Sequence, residues 1–186
     1  GLILLCGRTG SGKSTTLAAL LLAMARRRHL HCISLEDPVE FLYHEDGSIF
    51  HQRELGRDFT AFDAAVRSAL REDPDVLLIS ELRDRETIRA ALAAAEAGTL
   101  VLSTIHARTA AEAPQRLADF FPAEEQGSVR ASLAASLTAI ASERLVRVQE
   151  GRRAVYELLL RTPAICHMIR TAEDQQIASA MLSGAR

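Results

Sequence analysis

Lysine is almost missing from this chain. Of its 22 basic residues only Lys13 is a lysine, and the rest are arginines. Cysteine is scarce too: Cys6, Cys32 and Cys166 are odd in number, widely spaced and free of any CxxC pair. That excludes a disulfide framework and a four-cysteine zinc module, and it fits a reducing cytosol. No apolar run approaches the roughly 18 residues of a membrane span, so direct membrane insertion is not expected. A net charge of −2 and a pI near 6.3 leave no broad basic field, so nucleic acid is not an expected partner. The chain opens at Gly1 on an apolar strand, without Met or signal peptide, and reads as part of something longer.

What is present suits one domain with a substantial core. At 186 residues and 48% apolar content, a domain of this size buries roughly 70% of its unfolded surface. Short apolar runs alternate with helical patterns: strands at 2–6, 32–36, 76–80 and 100–104, with helices from Lys13 to about Arg28 and over about 85–97, the latter stopped by Gly98. Residues 38–58 read as a loop or hairpin turning at Asp46-Gly47. Thr60 with Asp63, and Thr109 with Glu112, have the spacing of capping boxes, opening helices to Arg71 and Phe121. After Pro122 a long helix is expected, with Val129, Leu133, Leu137 and Ile140 in register. A hairpin over 144–161 and a short helix pair from Thr162-Pro163 complete the chain. The alternation argues for an α/β fold with a mainly parallel sheet.

The stretch from Gly7 to Ser14, GRTGSGKS, fits G-x-x-x-x-G-K-[ST] between a strand and a helix. Glycines let backbone N–H groups converge on phosphate oxygens, and the helix N-terminus adds partial positive charge. The motif therefore implies a nucleoside triphosphate as ligand and Mg²⁺ as its companion ion, with Ser14 able to ligate the metal. The single lysine falls here because a compact ammonium reaches between β- and γ-phosphates, where a planar guanidinium is bulkier and prefers a bidentate fork. With that lysine committed, the N/T-K-x-D motif of GTPases cannot be written, and an LSGGQ signature is absent.

Three strand ends carry candidate chemistry. "LLISELRD" puts Glu81 at the carboxyl edge of the sheet, where ligands bind in such folds and where a carboxylate can serve Mg²⁺ through a water. "SLEDPVEF" releases Glu36 and Asp37 before Pro38, placed to align an attacking water. "LSTIHAR" places His106 where a polar group could sense a γ-phosphate. His44 and His51 read as loop histidines rather than a metal pair.

Together these stretches resemble the type II/type IV secretion ATPase superfamily, most closely its pilus-retraction branch. The phosphate loop looks like "GRTGSGKSTTLAAL", the Asp box is similar to "ISLEDPVEF", and "HQRE" (51–54), "LREDPDVLLISELRD" and "STIHARTAAEAPQRLADFFP" follow in order. The resemblance implies a RecA-like P-loop NTPase core over 1–161, a C-terminal helical segment over 162–186, and a family N-terminal domain outside this chain. It implies an ATP-hydrolysing hexamer that drives pilus retraction from the inner face of the cytoplasmic membrane, against an inner-membrane platform protein. In such a ring Arg8, Arg53, Arg67, Arg71 and Arg83 are unranked candidates to act on a neighbouring copy's site. By matching position, Gly7, Thr9, Gly10, Ser11, Gly12, Lys13, Ser14 and Thr15 would bind the nucleotide. Glu36 would act on water, Glu81 and Ser14 on Mg²⁺, and His106 would couple nucleotide state to conformation. The missing four-cysteine module favours retraction over extension. Ser80 replaces the glycine usual before Glu81, and "AICHMIR" (164–170) keeps only the skeleton of the branch's "AIRNLIR" helix. An accessory ATP-binding paralogue, or an extension or secretion ATPase, is the alternative reading.

Overall fold

A computed structural model describes residues 1–184. Chain packing divides into two compact units: Gly1 with Ser14–Thr104, and Leu2–Lys13 with the chain from Ile105 onward.

The first unit holds a wholly parallel set of strands in the order β3-β2-β4-β5: β2 (His31–Glu36), β3 (Ile49–Glu54), β4 (Val76–Ile79) and β5 (Leu100–Ile105). Strands covered on both faces read as continuous apolar runs, and VLLI of β4 is buried at all positions. Helix α1 (Lys13–Ala25) buries Leu17, Ala18, Leu21 and Ala25. Each buried leucine contributes about 1.5–3 kcal/mol. Helix α3 (Arg85–Glu96) packs on α2 (Phe62–Leu70). Its start is set by Asp84, whose side chain accepts from the Thr87 amide at 2.8 Å. Its end is set by Gly98 at φ +113°, a conformation open to glycine.

Two expectations for this unit are corrected. Residues 38–58 form no hairpin: β3 runs parallel to β2, with His31 opposite Ile49 and Glu36 opposite Glu54. IFHQRE is polar because β3 lies at the sheet edge, and that hid a strand among loop residues. The turn at Asp46-Gly47 is present, with Gly47 at φ +82°. Thr60 does not cap α2; Ala61 occupies that position without a side-chain hydrogen bond.

In the second unit β1 (Leu2–Cys6) pairs parallel with β6 (Leu137–Arg147), which turns back antiparallel into β7 (Arg152–Leu160). Helices α4 (Ala113–Ala118), α5 (Ala123–Ser136), α6 (Pro163–Thr171) and α7 (Asp174–Gly184) pack in chain order. The expected helix past Leu137 is overturned. The backbone leaves α5 at Leu137 (φ −58°, ψ +133°), and Leu137 and Ile140 lie on β6. Their helical spacing with Leu133 is coincidental; pairing of Ile140 with Leu4 of β1 decides the conformation. Thr109 does accept from the Glu112 amide at 3.2 Å, yet Glu112 bonds back to the Arg108 amide and α4 begins only after it. The terminal helix pair is present, with Thr162 capping α6 through the Ile165 amide. Among the described residues no helix is long and apolar enough to cross a membrane.

Candidate functional site

Strand β1 delivers the chain into the glycine-rich loop. Gly7, Gly10 and Gly12 all have positive φ, at +145°, +77° and +107°. Two of them are required by space as well. A Cβ on Gly7 would lie 2.5 Å from the Glu143 carbonyl oxygen, and one on Gly12 would lie 2.6 Å from Glu143 Oε1. Glu143 sits on β6, 1% exposed, and its Oε1 accepts from the Tyr156 hydroxyl at 3.5 Å. This buried acid beneath the loop was missed in the sequence, because only the β1–β6 pairing brings it there. Lys13 Nζ donates to the carbonyls of Gly7 (3.0 Å) and Arg8 (3.2 Å), folded onto its own loop. Ser11 Oγ is buried with no hydrogen-bond partner among the described residues. Thr9 and Thr15 are exposed, as is His106 directly after β5.

In the first unit Ser14, Glu36, Asp37, Glu40 and Ser80 line one cavity of about 40 Å³, which exceeds the volume a water needs. Glu36 ends β2 and is 5% exposed. Its Oε1 accepts from Ser34 Oγ at 2.6 Å and from Gln52 Nε2 at 3.2 Å. Burial pushes its carboxyl above the ordinary glutamate range, and these two neutral donors only partly oppose that. Gln52 also holds the 37–48 segment in place, donating to Phe41 O at 2.7 Å and accepting from the Tyr43 amide at 2.9 Å.

Glu81 stands just beyond β4. The turn carrying it is pinned by Thr104 Oγ1, which donates to Ser80 O at 2.8 Å, and by the Leu82 amide donating to Thr104 O at 2.9 Å. Ser80 Oγ is buried without a partner among the described residues. Arg83 bridges two acids, donating to Glu81 Oε2 at 2.8 Å and to Asp37 Oδ2 at 3.0 Å. Those bonds raise the Arg83 guanidinium's proton affinity further. Thus Ser14 and Glu36 share a cavity, and Glu81 is tied through Arg83 to an acid that lines it. Of the arginines considered for a neighbour's site, Arg53, Arg67 and Arg83 each engage an acid of their own chain.

Glu40 and Gln52, which contact Ser14 and Glu36, were also not singled out in the sequence. Ser14 Oγ donates to Glu40 Oε1 at 3.2 Å. The group around the cavity is hydroxyls and carboxylates, hard oxygen donors of the kind Mg²⁺ takes. The orphaned Ser80 hydroxyl leaves room there for one more hydrogen bond.

Against known proteins, residues 1–184 match the family described as Type II/IV secretion system protein. YggR of Escherichia coli (strain K12) is 51% identical over 99% of this chain and 57% of its own length. The type IV pilus retraction ATPase PilT of Pseudomonas aeruginosa (strain PAO1) is 46% identical over 99% of this chain and 54% of its own length. A crystal structure of the pilus retraction motor PilT with bound ADP superposes with a TM-score of 0.92 at 45% identity, covering 97% of this chain and 53% of that one. The chain spans about half the length of the relatives it matches. With a P-loop on an α/β core, four parallel strand pairings and this likeness along its whole described length, the chain belongs to the Type II/IV secretion system protein family.

Proposed function

We propose that this chain is the ATP-hydrolysing core of a motor that powers type IV pilus retraction. The observation that carries the reading is Glu36, a buried carboxylate of raised proton affinity, sharing a water-sized cavity with Ser14 of the phosphate-binding motif. Gly7, Thr9, Gly10, Ser11, Gly12, Lys13, Ser14 and Thr15 bind the triphosphate: loop amides cup its oxygens, and Lys13 leaves the carbonyls of Gly7 and Arg8 to bridge the β- and γ-phosphates. Glu36 orients a water and takes its proton as the oxygen attacks the γ-phosphorus. The bond from that phosphorus to the β–γ bridging oxygen breaks, yielding ADP and phosphate. Ser14 and Glu81 would hold Mg²⁺, which supplies charge neutralisation on the phosphate oxygens. His106 would report nucleotide state to the rest of the chain.

The domain reading stays as proposed from sequence, with a core over 1–161 and a helical segment over 162–186. The assembly is a homo-hexamer working in the cytoplasm against a platform protein in the inner membrane. Support for self-assembly comes from β7, which exposes Tyr156, Leu158 and Leu160 along one face. An apolar row of that kind on a soluble surface marks a contact face. Relatives bearing the retraction name support the direction of movement.

Expression of the full-length protein in a retraction-deficient, piliated host tests the cellular role, alongside steady-state ATP turnover in vitro. Restored twitching and turnover lost with Lys13→Ala are expected. Twitching restored equally by the Lys13→Ala variant would overturn the reading.

A further inference from the structure

The first unit carries a cluster that the nucleotide chemistry leaves unused. His51 is no loop residue: it lies on β3, and the parallel register sets it diagonally across from His31 at the start of β2, on the same face of the pair. Glu72, just beyond the C-terminus of α2, comes over the same face. One ligand atom from each of His31, His51 and Glu72 falls within 4.8 Å of the others. His44, by contrast, is engaged with Asp46 and takes no part.

We propose that His31, His51 and Glu72 form a binding site for a divalent transition-metal cation, Zn²⁺ by its ligand chemistry. Two imidazoles and a carboxylate, with a water in the fourth position, is a recurrent open zinc set. The spacing suits it. Metal–ligand bonds of 2.0–2.1 Å put two ligands of a tetrahedron about 3.3–3.4 Å apart. His31 Nε2 and His51 Nδ1 are 3.4 Å apart, and His51 Nδ1 is 3.6 Å from Glu72 Oε2. The imidazole rings stand edge to face at 84° and are not stacked on one another.

Arg53 Nη2 donates to the other carboxylate oxygen, Oε1, at 2.6 Å. That bond fixes which Glu72 oxygen is presented to the histidines, the work of an outer-shell partner. The Arg53 charge opposes a dication, so affinity in the micromolar range is expected. The His51 side chain is half-exposed, and solvent reaches the open position.

The cation would act as a clamp. Strand β3 is at the sheet edge and is paired on one side. Gln52, next to His51, is the residue that donates to Glu36 and holds the 37–48 segment. Tying β3 to the end of α2 would stiffen the strand that positions Gln52. This inference stands on the cluster alone and does not depend on the hydrolytic reading.

Tag-free, nucleotide-free full-length protein titrated with Co²⁺ and Zn²⁺ provides the test. One equivalent of Co²⁺ should give the visible bands of a four- or five-coordinate ion, displaced by Zn²⁺. Zn²⁺ should slow amide exchange over 49–54. His51→Asn and His31→Phe should each weaken binding by about 100-fold or more while melting as cooperatively as the metal-free parent. Absence of stoichiometric binding at micromolar Zn²⁺ would overturn the site and leave a hydrogen-bonded histidine pair. Binding unchanged in both variants would overturn it equally, since it would place the ion on a cysteine or at the phosphate loop.

Discussion

Two buried charges in this protein are handled in opposite ways. Arg130 of α5, 3% exposed, is met in full: it donates to Asp174 Oδ2 at 2.6 Å and Oδ1 at 3.0 Å, to Ile169 O at 3.2 Å, and to Gln115. One guanidinium fork thereby joins α4, α5, α6 and α7. Glu36 is equally buried, yet its side-chain partners are the neutral Ser34 and Gln52, and its carboxyl is pushed upward. A charge whose whole purpose is to hold helices together is satisfied in place. A charge left short of compensation beside a water-sized cavity is strained toward accepting a proton, which is what a general base requires.

Lys13→Ala should have the largest effect, cutting ATP kcat/KM by about 10³-fold, since on the proposed reading it removes the ammonium that bridges the β- and γ-phosphates. Coupled-enzyme turnover on the full-length protein checks this. Glu36→Gln should lower kcat by about 10²- to 10⁴-fold and yet raise the melting temperature near neutral pH. The sign follows from the raised carboxyl: the folded state prefers the protonated form, so ionisation costs stability as pH climbs from the unfolded value through the folded one. The stabilisation should therefore fade when melting is repeated in acid, where both side chains are neutral.

Arg130→Ala should behave in the opposite sense. Breaking a buried pair from one side costs about 3–5 kcal/mol, read by urea denaturation, with ATP affinity unchanged in the molecules that remain folded. Adding Asp174→Leu should recover part of the loss. The smallest effect belongs to Gln52→Ala. It strips one donor from Glu36 and two bonds from the 37–48 segment. A loss of about 1–2 kcal/mol should accompany an upward move of the acid limb of turnover, since the Gln52 bond opposes the effect of burial on Glu36.

How much could be read from the residues alone depended on the range of the interaction. The phosphate loop was legible because its demands are local: positive φ at Gly7, Gly10 and Gly12, and one lysine where shape decides. Glu36 and Glu81 could be singled out from the residues because each lies at or just past the end of a strand in a parallel sheet, where ligands bind in such folds. Glu40, Gln52 and Glu143 were not, since each acquires its place through a partner far along the chain, as Glu143 does beneath Gly12. β3 was lost for a related reason: an edge strand carries few apolar residues and so writes no periodic signal. Leu137 and Ile140 show the converse error, a helical spacing cancelled by a pairing with β1.

The pH dependence of kcat for ATP turnover by the full-length protein reads Glu36, the proposed base, most directly. Activity should fall in acid with a midpoint above the ordinary glutamate value, and Glu36→Gln should leave only residual turnover without that limb. A Glu36→Gln protein that turns over ATP at the parent rate with the same acid limb would contradict that role.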